Sequence, residues 1–321
     1  MLIHQFIALY TQYFQFKEAP FSIAPDPRFL YMSPRHQEGL AHLLYGIKMG
    51  GGFVALTGEV GTGKTTLCHC LLEQLPKDID IALILNPKLN SIELLANICD
   101  ELGIVYPKDN QSLKVLTDLL NAYLLDAHAN GRRTVLMIDE AQNLSYDVLE
   151  QVRLLTNLET SQTKLLQIVL VGQPELQQLL NRKELRQLNQ RITARYHLEA
   201  LSFDETKTYI FHRISVSGGR FDVFQNSAIR RIYKLTRGIP RLINILCDRS
   251  LLGAYGSSES QVTSRIVNKA ANEVFASNHN KKRFGTIAAL AILLLFAGLG
   301  AMNYYVTPDK KQKNAGSEQN E

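Results

Sequence analysis

Eight residues constrain this chain more than any other stretch: Gly-Glu-Val-Gly-Thr-Gly-Lys-Thr at 58–65. The apolar run Phe53, Val54, Ala55 and Leu56 leads into them, and residues 66–72 continue with helical spacing. Strand, glycine loop and helix in that order build a cradle for phosphate. The glycines let the backbone curl so that successive N–H groups point at one anion. Gly58, Glu59, Val60, Gly61, Thr62, Gly63, Lys64, Thr65 and Thr66 are therefore the candidate nucleotide contacts. The helix start adds partial positive charge. Lys64 supplies a full charge for the outer phosphates, and the Thr65 hydroxyl is placed to bind Mg²⁺. Chance would match the four fixed positions in roughly one chain in a hundred of this length, and the flanking strand and helix make accident rarer still.

A second half of the site lies 75 positions downstream of Lys64, where the apolar run 134–138 ends in Asp139-Glu140. A strand buried on both faces is nearly continuously apolar, and open α/β sheets bind ligands at the carboxyl ends of their strands. Asp139 is thus expected in the Mg²⁺ shell of a nucleotide held by Lys64 and Thr65. Glu140 is suited to orient and deprotonate an attacking water. An isolated acid pair would read as a solvated turn; the upstream loop favours the functional reading.

Three further candidates follow. The run 165–171 reads as a strand ending in Gly172-Gln173-Pro174. Gln173 is expected to touch the γ-phosphate or the water, or else to cap the helix that Pro174 begins. Residues 190–198 place Arg191 and Arg195 four apart, on one face if helical. Either is suited to reach a neighbouring subunit's γ-phosphate, and the sequence does not choose between them. Arg241, in Gly238-Ile239-Pro240-Arg241, is expected to lean over the phosphates and report nucleotide state to the helices around it.

The rest of the chain frames these residues. Residues 1–33 carry Phe14, Phe16, Phe21, Ile23, Phe29 and Leu30 among Pro20, Pro25 and Pro27. Prolines at this density forbid a long helix. An extended apolar strap is expected, covering the core or walling an adenine pocket. Ser33-Pro34 reads as a helix start, with Leu40, Leu43, Leu44 and Ile47 on one face. Residues 79–85 form a further strand, with helices at 91–102, 112–130, 146–158 and 176–189. From 202 the strands stop, and helices at 204–216, 227–236, 240–254 and 263–275 form a small all-helical second domain. Cys68, Cys70, Cys99 and Cys247 read as buried reduced thiols, since a Cys-x-Cys pair on a helix points its side chains about 200° apart. The net charge of +5 is spread along the chain and does not by itself argue for nucleic acid.

One segment is not globular. Residues 284–306 contain no charge, and at about 1.5 Å per residue they span roughly 34 Å, enough to cross a bilayer. Lys281-Lys282-Arg283 immediately before it places the preceding chain in the cytoplasm. Tyr304 and Tyr305 suit the far interface. A buried core helix is the alternative. Residues 307–321 form a short polar tail.

Together the motifs G-E-V-G-T-G-K-T, M-I-D-E-A-Q, V-G-Q-P-E-L, Q-R-I-T-A-R-Y and G-I-P-R, with the opening P-F-S-I-A-P-D-P-R-F-L-Y, resemble the AAA-type ATPases of the general secretion pathway protein A family. The resemblance covers about residues 10–276. It is nearest to members serving biogenesis of the mannose-sensitive haemagglutinin (MSHA) type IV pilus, because a tail of fifteen residues leaves no room for the large peptidoglycan-binding domain common in secretion members. It implies an α/β fold: a P-loop NTPase three-layer α/β/α AAA core at 34–200, a C-terminal all-helical lid at 201–278, then a single transmembrane helix. It makes Lys64 and Thr65 the Walker A pair, Asp139 and Glu140 the Walker B pair, Gln173 the first sensor and Arg241 the second, with Arg191 and Arg195 in the arginine-finger region. The first sensor of AAA proteins is often Asn or Thr, so Gln173 is a departure. Residues 1–9 extend beyond the usual family start, as a misassigned initiation site would.

The implied cofactors are ATP and Mg²⁺. The implied partners are further copies of the chain, as a ring or dimer, and inner-membrane pilus or secretion assembly proteins. Nucleic acid is not an expected partner. Two other readings remain: a DNA-transaction ATPase sharing this core, and a nucleotide-gated binding switch with little turnover.

Overall fold

The computed structural model describes residues 9–275 apart from 25, 51, 86, 110, 111 and 162. The apolar segment 284–306 lies outside the described residues; among those described, no helix is long and apolar enough to cross a membrane. The chain divides into two compact units, 1–267 and 268–321. The first holds the site and is described below. Of the second, residues 268–275 are helical.

Five parallel strands form the sheet: β1 (Gly52–Gly58), β2 (Ile79–Ile84), β3 (Arg133–Ile138), β4 (Leu166–Gly172) and β5 (Ile192–Leu198), in the order β2-β3-β4-β1-β5. Every residue of β1 and β4 is buried, as is β3 after Arg133. These near-continuous apolar runs are what a sheet covered on both faces requires.

The cover comes from helices on each side. Val54, Leu56, Val135, Met137, Val169 and Val171 pack with α1 (Pro34–Met49) and α2 (Lys64–Gln74) through Leu40, Leu43, Ile47, Leu67 and Leu71. The alternate strand residues, among them Ala82, Ile84, Leu136, Ile138, Ile168 and Leu170, pack with α3 (Ser91–Glu101), α4 (Leu113–Ala129), α5 (Tyr146–Leu155) and α6 (Pro174–Leu180). The result is the expected three-layer arrangement. Each fully buried aliphatic side chain contributes about 1.5–3 kcal/mol relative to exposure.

Local signals set the helix starts. The Ser33 side chain caps α1 with Pro34 at its first position. Asn90 and Glu93 form a capping box on α3. Ser202 and Glu205 form another on α8 (Phe203–Val216), the first of the closing helices. It is followed by α9 (Asn226–Thr236), α10 (Pro240–Gly256) and a helical stretch from 264.

Two expectations need correction. Residues 190–198 are not one helix: Gln190 ends a short helix, and Ile192–Leu198 is edge strand β5, parallel to β1. Ala194 and Tyr196 face inward while Thr193, Arg195 and His197 face solvent, the period-two pattern of a half-covered strand. The single helix at 176–189 is three pieces: α6, a 3-10 turn at Lys183–Leu185, and α7 (Arg186–Gln190).

The strap is apolar, as expected, but begins with a helical turn at 9–13. Tyr10, Phe14, Phe16, Phe21 and Phe29 are buried, whereas Ile23 is 64% exposed. It leans on the closing helices: Phe21 meets Phe224 edge to face, Lys17 N–H donates to Ser217 O, and Tyr10 Oη donates to the Asp248 carboxylate.

Candidate functional site

Where β1 ends, Gly61 (φ 83°) and Gly63 (φ 105°) adopt left-handed backbone that favours glycine. Space is also short: a Cβ on Gly63 would lie 2.8 Å from His36 Nε2, and one on Gly61 would lie 2.6 Å from Arg241 Cβ. Residues 58–65 therefore fold back over the start of α2. Lys64 Nζ donates to Gly58 O (2.8 Å) and Glu59 O (3.0 Å). Burial pulls its ammonium below the usual lysine range, opposed by the charges of Glu140, Asp139 and Glu59.

Strand β3 brings the second half alongside. Thr65 Oγ1 donates to Asp139 Oδ2 at 3.1 Å. Asp139 is buried, and its Oδ1 accepts the Glu140 N–H at 2.8 Å. Glu140 has φ 52°, a left-handed conformation costly for a side-chain-bearing residue. Its carboxylate Oε2 accepts from two amides: Gln142 Nε2, and Gln173 Nε2 at 3.1 Å. Gln142 Oε1 in turn accepts the Gln173 N–H at 3.0 Å. Gln173 thus turns toward Glu140, outside the cleft lining, and makes no side-chain cap on α6.

The cleft in front of the loop has a volume of about 660 Å³. Val60, Gly61, Thr62, Gly63, Lys64, Thr65 and Thr66 line one end, with Glu140 and Arg241. His69, Cys70 and Glu73 continue the wall along α2, one helical face. Strap residues 22–24 and 29–31 close the far side, with Tyr209, Arg213 and Asn244 from the closing helices. The strap is therefore both core cover and pocket wall. Arg241 N–H donates to Gly61 O at 3.2 Å, so the start of α10 sits on the phosphate loop.

His36 is a member the sequence reading missed. It is buried; its Nδ1 is 2.7 Å from Ser33 Oγ and its Nε2 is 3.1 Å from Thr62 O. A carbonyl only accepts, so Nε2 carries the proton and Nδ1 accepts from the serine. Burial pushes the imidazole below its ordinary value, opposed by the Thr62 carbonyl.

The two arginines lie elsewhere. Arg191 O accepts the N–H of Phe53, at the opposite end of β1 from the loop, about 16 Å away at roughly 3.3 Å per residue. Its guanidinium donates to Thr156 Oγ1, Asn157 Oδ1 (2.8 Å) and Arg153 O (3.4 Å). Arg195, exposed on β5, donates to Asn189 O at 2.9 Å and to its side chain. The four cysteines are free and buried, and burial pushes the Cys68 thiol up to about 12. Among the described residues no cluster of three or more His, Cys, Asp or Glu suits a metal ion.

A parallel sheet in this strand order, with a glycine loop on an inner strand and two carboxylates on another, defines the AAA-type P-loop α/β fold. Residues 47–180 match the family described as AAA domain. The general secretion pathway protein A of Aeromonas hydrophila is 52% identical over 290 residues, 90% of this chain and 53% of that protein. The chain is thus similar to the general secretion pathway protein A of that organism through its AAA domain, and spans about half the length of that curated relative. Similar solved structures include Cdc6p from Pyrobaculum aerophilum (TM-score 0.62, 20% identity, 79% of this chain and 70% of that one). The Drosophila ORC bound to DNA gives TM-score 0.60 at 20% identity over 79% and 64%. The Aeropyrum pernix ORC2 protein gives 0.55 at 18% over 80% and 71%. At such identities the likeness is one of fold.

Proposed function

We propose that this chain binds ATP with Mg²⁺ in the cleft and hydrolyses it, as a membrane-anchored ATPase supporting assembly of a secretion apparatus or an MSHA-like type IV pilus. The observation that carries the reading is the bond from Thr65 to Asp139 beside Lys64. A hydroxyl and a carboxylate oxygen at that spacing suit a hard cation such as Mg²⁺. When bound, that ion neutralises charge on the phosphates.

Lys64 exchanges its two loop carbonyls for phosphate oxygens, which are stronger partners for an ammonium. The loop N–H groups and the start of α2 hold the remaining phosphate charge. Glu140 takes the proton from the attacking water, with Gln142 and Gln173 fixing the carboxylate. Arg241 lies over the phosphate end of the cleft and couples its contents to α10. Arg195, exposed on edge strand β5 and bonded there to Asn189, is the arginine that reaches a neighbouring subunit; Arg191 is tied to three residues of its own subunit.

Segment 284–306 anchors the chain in the inner membrane with the ATPase in the cytoplasm. The relative's name favours a secretion system. Crosslinked pull-down from membranes with Glu140→Gln held in ATP decides which subunits accompany the chain. The ATPase reading itself is tested by calorimetric ATP titration of wild type and Lys64→Ala. Absence of ATP binding by the wild type overturns it.

A further inference from the structure

The end of the cleft away from the phosphate loop holds a buried polar relay that the hydrolysis chemistry does not use. Arg213 is 6% exposed, and among the described residues no carboxylate lies within ion-pair distance of it, Asp26 acting on it only from further away. Its guanidinium instead donates to Pro20 O (2.6 Å), Ser22 O (2.9 Å) and Tyr209 Oη (2.9 Å), and stands 4.8 Å from the Phe29 ring centroid. Tyr209 Oη donates to Asn244 Oδ1 at 2.8 Å.

A guanidinium can only donate, so the tyrosine oxygen accepts from Arg213. The tyrosine proton goes on to the Asn244 amide oxygen. With Oδ1 engaged in this way, Nδ2 is the remaining end of the Asn244 amide. Asn244 is 7% exposed, lines the cleft, and among the described residues offers Nδ2 no acceptor. Nδ2 is not enclosed by protein but opens on the cleft, where an acceptor on a ligand can take the place of water.

Position says which part of a ligand it meets. Arg241 sits on Gly61 at the phosphate end. Asn244 is three residues further along α10, about one turn away from the loop, and lines the same cleft as Ser22 and Phe29 of the strap. We infer that Asn244, oriented by Tyr209 and Arg213, is a specificity-determining residue that donates a hydrogen bond to an acceptor on the nucleoside: a ring nitrogen of the base or an oxygen of the ribose. The inference rests on the proposal that the cleft takes ATP. A site built to hydrogen-bond one group discriminates strongly against analogues that lack it.

The test is competition binding against a fluorescent ATP analogue, with ATP, GTP, 2′-deoxy-ATP and inorganic tripolyphosphate as competitors. Wild type, Asn244→Leu, Tyr209→Phe and Lys64→Ala are compared. Asn244→Leu is expected to bind ATP at least tenfold more weakly while tripolyphosphate binding stays within twofold. Tyr209→Phe, which keeps the packing but frees the amide to turn, is expected to lose about threefold on ATP alone. Loss of the preference for ATP over GTP assigns the acceptor to the base. Loss of the preference over 2′-deoxy-ATP assigns it to the ribose hydroxyl. An equal loss on all three nucleotides assigns it to an atom they share. Unchanged ATP affinity in both relay variants, or a loss matched by tripolyphosphate, overturns the inference. Should Asn244→Leu fail to fold, Tyr209→Phe decides alone. Wild type that binds no ATP defeats the underlying proposal, an outcome distinct from these.

Discussion

Gln173 Nε2 lies 3.1 Å from Glu140 Oε2, and Gln142 donates to that same oxygen. One oxygen of the carboxylate is held from two sides, and Oε1 has no partner among the described residues. The pair therefore aims the carboxylate rather than masking it. Gln142→Ala and Gln173→Ala should each lower turnover about 10- to 100-fold, the scale of a small misplacement of a reacting group. ATP affinity should stay within twofold. Single-turnover kinetics beside equilibrium binding checks this, and a matched fall in affinity would contradict it.

Glu140→Gln removes the basic oxygen but keeps a carbonyl able to accept from both amides. Turnover should fall by about 10²- to 10⁴-fold with ATP still bound. Phosphate release and filter-bound ATP, measured on the same preparation, would contradict the base assignment if hydrolysis proceeds at the wild-type rate.

Arg191 and Arg195 should separate cleanly. Arg191→Ala leaves Thr156, Asn157 and Arg153 O without their shared donor, and should cost about 1–3 kcal/mol of stability. Arg195→Ala should change stability by less than about 0.5 kcal/mol yet abolish the rise of specific activity with protein concentration. Urea unfolding and activity at several concentrations distinguish them; a wild-type concentration profile in Arg195→Ala removes it as the intersubunit arginine.

Burial holds the His36 imidazole below its ordinary value of 6.5. The unfolded chain therefore takes up a proton at a pH where the folded chain resists it. The His36 contribution to stability is complete above about pH 6.5 and is lost as pH falls from there through the lowered value. Protonation also removes the Nδ1 acceptor for Ser33. His36→Gln should flatten the fall in melting temperature as pH drops below about 6.5. An unchanged pH profile in that variant would show that His36 does not carry it.

Tyr10 is buried and gives its hydroxyl proton to Asp248, whose carboxyl is pushed up by burial. Tyr10→Phe leaves that acid with one donor fewer and should cost about 1–3 kcal/mol in urea unfolding. A cost near zero would mean that solvent replaces the phenol.

The motif at 58–65 and the Asp139-Glu140 pair were legible because their spacing is set by local geometry: a glycine loop must precede its helix, and a catalytic acid must follow its strand. Strand β5 was not, because Arg191 and Arg195 drew attention to a four-residue interval that a helix and a strand share. The alternation of Ile192, Ala194, Tyr196 and Leu198 was the better signal. His36, Gln142 and the Arg213–Tyr209–Asn244 relay act through contacts that only the tertiary fold creates. For Gln142 alone, adjacency to Asp139-Glu140 was a clue. Gln173 was placed at the right strand end, but its partner is Glu140.

The backbone bond from Arg241 to Gly61 makes the phosphate loop and the start of α10 neighbours that share a fate. A protein that binds the closing helices more tightly in one position than another changes the affinity for a nucleotide held by that loop. By reciprocity, the nucleotide changes the affinity for that protein by the same factor. For the proposed ATPase, this contact is a route by which nucleotide and an assembly partner would regulate one another without a dedicated messenger between them.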